Sequence, residues 1–262
     1  MHLEGKVAVV LGASAEGGTG WAIAETLAGA GAKVVVAARR LEPLQQLADR
    51  IGGKAVACDA GKADQIAALA EAAVAAFGPI DIAVNSSARP IVGTIAQTTP
   101  EQVQRSLDVN FLGQVNFVRN IAERMNDGGS IILISSSSAA QPVMPFFPYA
   151  CAKAATDCLV RYAALEYGPR GIRVNSVLPG PIKTALAAAI FAAPGAEAVF
   201  EREIPLGRVG VPQDFADTVL WLAGPHYITG INLPVSGGMQ LTRTPRADEM
   251  PGENVYEAAA NG

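Results

Sequence analysis

Residues 7–28 read VAVVLGASAEGGTGWAIAETLA. The run Val7 to Leu11 is apolar throughout and too short for a helix, so it reads as a buried strand. Gly12 ends it, and Gly17, Gly18 and Gly20 follow before apolar residues resume at helical spacing. Strand, glycine-rich turn and helix in that order place free backbone N–H groups at a helix N-terminus, where an anion is attracted. Glycine suits the turn because a Cβ would collide with phosphate or force unfavourable φ angles. The loop is expected to cradle a dinucleotide pyrophosphate, with Gly12, Ser14, Gly18, Thr19 and Gly20 as the contacting residues.

The same unit recurs outward along the chain. AKVVVAA (32–38), KAVAC (54–58), IDIAVN (80–85), SIILIS (130–135) and IRVNSVLP (172–179) read as further strands, with a seventh near 230–235. Helices are expected at 41–51, stopped by Gly52 and Gly53, near 62–77, over 100–125, and from Pro148 to Tyr167. This alternation predicts the α/β class: a single doubly wound, Rossmann-type domain with a seven-stranded, mostly parallel sheet and helices on both faces. Residues 1–240 form that domain, and 241–262 are a polar tail with scattered Pro and Gly. The tail is expected to be flexible or to wrap a neighbouring subunit.

Half of the 262 residues are apolar and 17% are charged, which fits a globular rather than a disordered chain. A net charge of −4 leaves no basic footprint, so nucleic acid is not an expected partner. The start, MHLEGKVAVV, lacks the apolar core of a signal peptide, and no apolar run approaches the roughly 18 residues of a membrane span. A cytoplasmic protein with no membrane partner is expected. Cys58, Cys151 and Cys158 make neither a metal-ligand pattern nor an even disulfide set, so buried free thiols and no metal are expected.

At the end of the second strand, a carboxylate bonds a ribose 2′-hydroxyl, whereas Arg accommodates a 2′-phosphate. Here Ala38 is followed by Arg39 and Arg40, which favours NADP(H) over NAD(H). Asp59 and Ala60, after the third strand, are placed to meet the adenine.

The stretch ISSSSAAQPVMPFFPYACAKAA (134–155) carries the chemistry. Tyr149 and Lys153 are four apart, so on a helix they face the same way, and Ser136 lies thirteen residues before the tyrosine. A free phenol titrates near pH 10. A neighbouring ammonium, with the charge of an oxidised nicotinamide, favours the phenolate and brings that value toward working pH. Tyr149 is then a general acid for ketone reduction and a base for alcohol oxidation, with Ser136 bonding the substrate oxygen.

With VNFLG (109–113) and NSVLPGPIKT (175–184), these motifs resemble the short-chain dehydrogenase/reductase family from about residue 5 to Gly238. The resemblance implies that Lys153 also holds the nicotinamide ribose and that Asn110 positions a water linking Lys153 to solvent. It implies that Pro179, Gly180, Ile182 and Thr184 fix the carboxamide, and that Asn85 opens the motif after strand 4. That motif departs from the family's N-N-A-G, reading NSSA (85–88). The glycine loop also departs: five residues separate Gly12 from Gly18, where the family usually has three. The longer spacing occurs in the enoyl-reductase branch, but that branch needs six residues between tyrosine and lysine, and here that position is Thr156. Carbonyl chemistry is therefore expected. The alternatives are a 3-oxoacyl-carrier-protein or enoyl reductase, or a non-catalytic dinucleotide-binding sensor.

Residues 185–200 are alanine-rich and apolar, and in the resembling family the region (here to about 204) is a mobile lid. Leu186, Phe191 and Phe200, with Met144, Phe146 and Phe147 ahead of the tyrosine, suggest a hydrophobic ketone or alcohol that is cyclic, terpenoid, steroid-like or aromatic. The family also usually assembles through the helices at 100–125 and 148–167, which implies a homotetramer or homodimer.

Overall fold

The seven short apolar runs form one sheet in a computed structural model that describes residues 2–184 and 187–251. The strands are β1 (Val7–Leu11), β2 (Lys33–Ala38), β3 (Lys54–Ala57), β4 (Ile80–Asn85), β5 (Met125–Ile134), β6 (Arg173–Pro179) and β7 (Asn232–Val235). Their order is β3-β2-β1-β4-β5-β6-β7, and every neighbouring pair is parallel. Side chains alternate between two cores, as a period of two requires. Ala8, Val10, Val34, Val36, Val84 and Ile132 face one core, and Val9, Leu11, Val35, Ala37, Ala83 and Ile131 face the other.

Helices cover both faces. The first core is closed by α1 (Thr19–Gly29), α2 (Leu41–Ile51) and α9 (Pro212–Ala223) through Ile23, Leu27, Leu44, Leu47, Phe215 and Val219. The second is closed by α3 (Ala63–Phe77), α5 (Gly113–Ala122) and α6 (Phe147–Tyr167) through Ile66, Leu69, Phe117, Ile121 and Val160. Strand order reverses between β1 and β4, the switch point at whose carboxyl ends open α/β sheets bind ligands.

The region expected as one helix over 100–125 is interrupted. α4 (Pro100–Leu107) begins on a capping box made by Thr99 and Gln102, and a π turn, Asp108–Leu112, separates it from α5. The turn ends where Gly113 closes on the Ala60 carbonyl so tightly that a Cβ would overlap it. β5 also begins earlier than 130, because Met125 pairs with Ile80 ahead of a register shift.

Of the thiols expected to be buried, only Cys58 is; Cys151 and Cys158 are exposed on α6, because they fall off its buried face of Ala152, Lys153, Thr156 and Val160. Two short helices, α7 (Ala188–Phe191) and α8 (Ala196–Glu201), contribute to a third, smaller apolar cluster that includes Phe200, Ile204, Met239 and Met250. Among the described residues no helix is long and apolar enough to cross a membrane.

Candidate active site

The carboxyl ends of β1, β4, β5 and β6 converge on one crevice. Beyond β1, Gly12 has φ +97°, and a Cβ there would stand 2.5 Å from the Ser87 nitrogen, so both conformation and space require glycine. Gly20 presses against the Gly12 carbonyl with no room for a side chain. α1 opens at Gly18, which offers no side-chain cap to the first N–H groups of the helix. At the rim, the Arg40 guanidinium donates to the Ser14 carbonyl at 2.9 Å, while Arg39 is exposed beside it. Asp59 Oδ1 accepts from the Gly61 nitrogen at 2.9 Å, and Ala60 is buried next to it.

Asn85 ends β4. Its Oδ1 accepts from the Ser87 nitrogen and hydroxyl at 3.0 and 2.6 Å, so the NSSA variant closes a tight local turn. Asn85 Nδ2 is buried without a hydrogen-bond partner. After β6, the Gly180 nitrogen donates to the Val235 carbonyl at 3.0 Å, and a Cβ on Gly180 would lie 2.7 Å from that of Ser236. Thr184 Oγ1 accepts from Ala187 at 3.3 Å.

The central side chains come from β5 and α6. Ser136, just past β5, accepts from the nitrogen and hydroxyl of Ser138 at 3.2 and 2.9 Å. Pro148 in the first turn of α6 sets the helix start, and Tyr149 and Lys153 follow on one face. Lys153 is 1% exposed, its ammonium donates to the Ile134 carbonyl at 2.7 Å, and Nζ stands 5.6 Å from the centre of the Tyr149 ring. Burial brings the lysine down to about 8, partly opposed by the charge of Asp157. Burial also pushes the Tyr149 phenol up to about 12, against a hydrogen bond with Ser136. The lowering expected from the sequence counts an oxidised nicotinamide beside the lysine; among the chain's own groups burial leads the other way. Desolvation outweighs the lysine because Nζ is bound to Ile134 rather than to the phenol oxygen.

Asn110 sits in the π turn with its side chain fully engaged. Nδ2 donates to the carbonyls of Arg89 and Ser106 at 2.8 and 3.0 Å, and Oδ1 accepts from the Arg89 nitrogen at 3.0 Å. The side chain therefore staples the loop after β4, and its main-chain carbonyl accepts from Thr156 Oγ1 at 2.7 Å. Asp157 has a buried, unpartnered Oδ1, and burial raises its pKa. Neither Thr156 nor Asp157 carries a recognisable motif; the only signal was polar residues on the buried face of an otherwise apolar helix.

Ser136, Tyr149, Lys153, Thr19, Pro179, Gly180, Ile182 and Thr184 border one cleft of about 280 Å³. Val143, Phe146, Ile190, Phe191, Phe200 and Met239 give it an apolar side, and serines, among them Ser137 and Ser138, line it near Ser136. Phe191 and Phe200 pack at a tilt, 5.5 Å between ring centres, and Phe146 meets the Tyr149 ring edge-on at 6.5 Å. Met144 is not in the cleft lining: it is 61% exposed on the preceding loop. Phe147 is the first residue of α6 and does not line the cleft. Leu186 lies outside the described residues.

A family model described as "Enoyl-(Acyl carrier protein) reductase" matches residues 12–240. The chain is 38% identical to 3beta-hydroxysteroid dehydrogenase 1 of Eggerthella lenta over 91% of this chain and 95% of that one. It is 34% identical to the 7alpha-hydroxysteroid dehydrogenase of Escherichia coli, over 91% and 95%. The solved short-chain dehydrogenase/reductase of Serratia marcescens superposes with a TM-score of 0.85 at 34% identity, covering 92% of this chain and all of that one.

Proposed function

The chain belongs to the short-chain dehydrogenase/reductase family and is an alcohol dehydrogenase or carbonyl reductase that uses a nicotinamide dinucleotide, and on that premise we propose that it interconverts a hydrophobic ketone and its secondary alcohol with NADP(H) favoured over NAD(H). The observation that carries the reading is the meeting of Ser136, Tyr149 and Lys153 in one apolar cleft. The cofactor fits the residues present: the N-terminus of α1 carries no side-chain cap, and Thr19 in its first turn borders the cleft, leaving main-chain N–H groups there for a pyrophosphate. Gly12, Ser14, Gly18, Thr19 and Gly20 would hold the pyrophosphate, Asp59 and Ala60 the adenine, and Asn85, Pro179, Gly180, Ile182 and Thr184 the nicotinamide end. Arg39 and Arg40 would meet the 2′-phosphate. When bound, the cofactor supplies or accepts the hydride.

In reduction, Tyr149 Oη donates the proton, which a phenol, neutral at working pH, has to give. Ser136 Oγ bonds the substrate oxygen and stabilises the charge that develops on it. Lys153 remains mostly charged at neutral pH, since its value is about 8, and favours the phenolate left behind. Asn110 serves by position: its side chain fastens the loop after β4 to the π turn through Arg89 and Ser106, and its carbonyl is held by Thr156. The enoyl-reductase alternative is disfavoured because Thr156, where that branch would place its lysine, is buried against Asn110.

The substrate is a cyclic or polycyclic ketone or alcohol, a class supported by the apolar walls and by the hydroxysteroid names of two relatives. Residues near 185–204 serve as its lid. Assembly as a homotetramer, or a homodimer, is supported by exposed Leu112, Tyr162 and Leu165 on the outer faces of the π turn and α6. The test is consumption of NADPH by the purified protein with a panel of cyclic and aryl ketones, and of NADP⁺ with the matching alcohols. Turnover of at least one pair is expected, and none with any pair contradicts the reading.

A further inference from the structure

The polar run after Met239 folds back over the cleft. Gln141 Nε2 donates to the Met239 and Thr242 carbonyls at 3.4 and 3.2 Å, which starts the return. Arg243 then binds on two sides. It pairs with Glu203, just beyond α8, at 2.7 Å, and it grips Glu249 through two bonds at 2.6 and 2.9 Å. Glu249 also accepts from the Arg246 nitrogen at 2.7 Å, and the charges and bonds of Arg243 lead in holding its carboxyl down at about 2. Met250 ends the segment buried, 6% exposed, in the apolar cluster with Val199, Phe200 and Ile204. Exposed ion pairs are weak one at a time. Here a two-sided arginine and a buried methionine fix the same twelve-residue strap, 239–250, to the segment that carries α8.

The strap brings one further side chain to the cleft. Thr244 borders it alongside Met239 and Phe200, half-buried, with its hydroxyl 3.4 Å from Gln141 Oε1. The reacting end of the cleft is set by Ser136 and Tyr149, so the strap bounds the volume left for the body of the substrate.

We infer that Thr244, held in place by the Arg243 clasp, is a specificity-determining residue: it forms a wall that sets how large an apolar ring system the cleft accepts beside Tyr149. This rests on the reading of the cleft as the site of carbonyl reduction. The ligand class is a rigid, fused-ring ketone whose body lies between the strap and the aromatic pair Phe191 and Phe200.

The experiment compares kcat/KM for a one-ring ketone, cyclohexanone, and a four-ring ketone, 5α-androstan-3-one, in wild type, Thr244→Phe, Thr244→Ser and Arg243→Met. Calorimetric binding of the four-ring ketone to the cofactor-loaded protein is measured alongside. Thr244→Phe should lower the four-ring to one-ring ratio on the order of tenfold or more, as added volume in a fitted pocket does. It should weaken four-ring binding to match. Thr244→Ser should keep the ratio, and Arg243→Met, which frees the strap, should shift it. A ratio unchanged in Thr244→Phe, or both ketones falling together, overturns the wall. Four-ring binding that Thr244→Phe weakens in a protein that reduces neither ketone would support the wall and overturn the reaction. A wild type that neither binds nor reduces the four-ring ketone overturns the inference.

Discussion

The hydroxyl of Thr156 donates to the main-chain carbonyl of Asn110 across 2.7 Å, tying α6 to the π turn between α4 and α5. Both residues are fully buried, so the carbonyl has no water to replace that donor. Thr156→Val keeps the volume and removes the bond. It should lower unfolding stability by about 1–3 kcal/mol, the cost of an orphaned buried acceptor. Thr156→Ser should lose less, because the donor remains. Urea unfolding followed by circular dichroism reads both, and a Thr156→Val as stable as wild type would show the bond to be idle.

Asp157 follows Lys153 by one helical turn, and its charge is the influence that raises the lysine while burial lowers it. Asp157→Asn removes the raising influence, so Lys153 should lose its proton at lower pH than in wild type. If the charged lysine is needed for turnover, the alkaline limb of kcat against pH moves toward neutrality. A limb that stays in place, or moves to higher pH, would mean that this charge does not reach the lysine.

Arg40 rests on the Ser14 carbonyl at the edge of the glycine loop, and Arg39 is exposed beside it where a ribose-binding carboxylate is missing. A charge-assisted phosphate contact contributes about 1.5–3 kcal/mol, so wild type should prefer NADPH to NADH by roughly tenfold to a hundredfold. Arg39→Asp should flatten or reverse that ratio of kcat/KM. Equal use of both cofactors by wild type would remove the basis for the preference.

The parts legible in the sequence are those with local signatures. Val7 to Leu11 and Lys33 to Ala38 announce buried parallel strands because both faces are covered, and Gly12 announces its turn because no side chain fits there. Tyr149 and Lys153 announce their shared face through helical spacing alone. The π turn at Asp108–Leu112 left no such mark, and the close approach of Gly113 to the Ala60 carbonyl at its end joins residues far apart in sequence. The return of the strap was equally hidden: Arg243 answers Glu203 across forty residues, and Met250 looks solitary in a polar run. The burial of Tyr149 and Lys153 was hidden as well, because spacing gives proximity to an ammonium but not the desolvation of both groups.

Tyr149 is the proposed proton donor, and Tyr149→Phe removes that function alone. The ring and its packing on Phe146 are kept, and only the hydroxyl is lost. The measurement is kcat with a ketone that wild type reduces, beside a fluorescence titration of NADPH on the same preparation. The expected result is a loss of about a hundredfold to ten-thousandfold in kcat with NADPH affinity close to wild type. Retention of more than about a tenth of wild-type turnover, a barrier change under roughly 1.4 kcal/mol, would mean that another group delivers the proton.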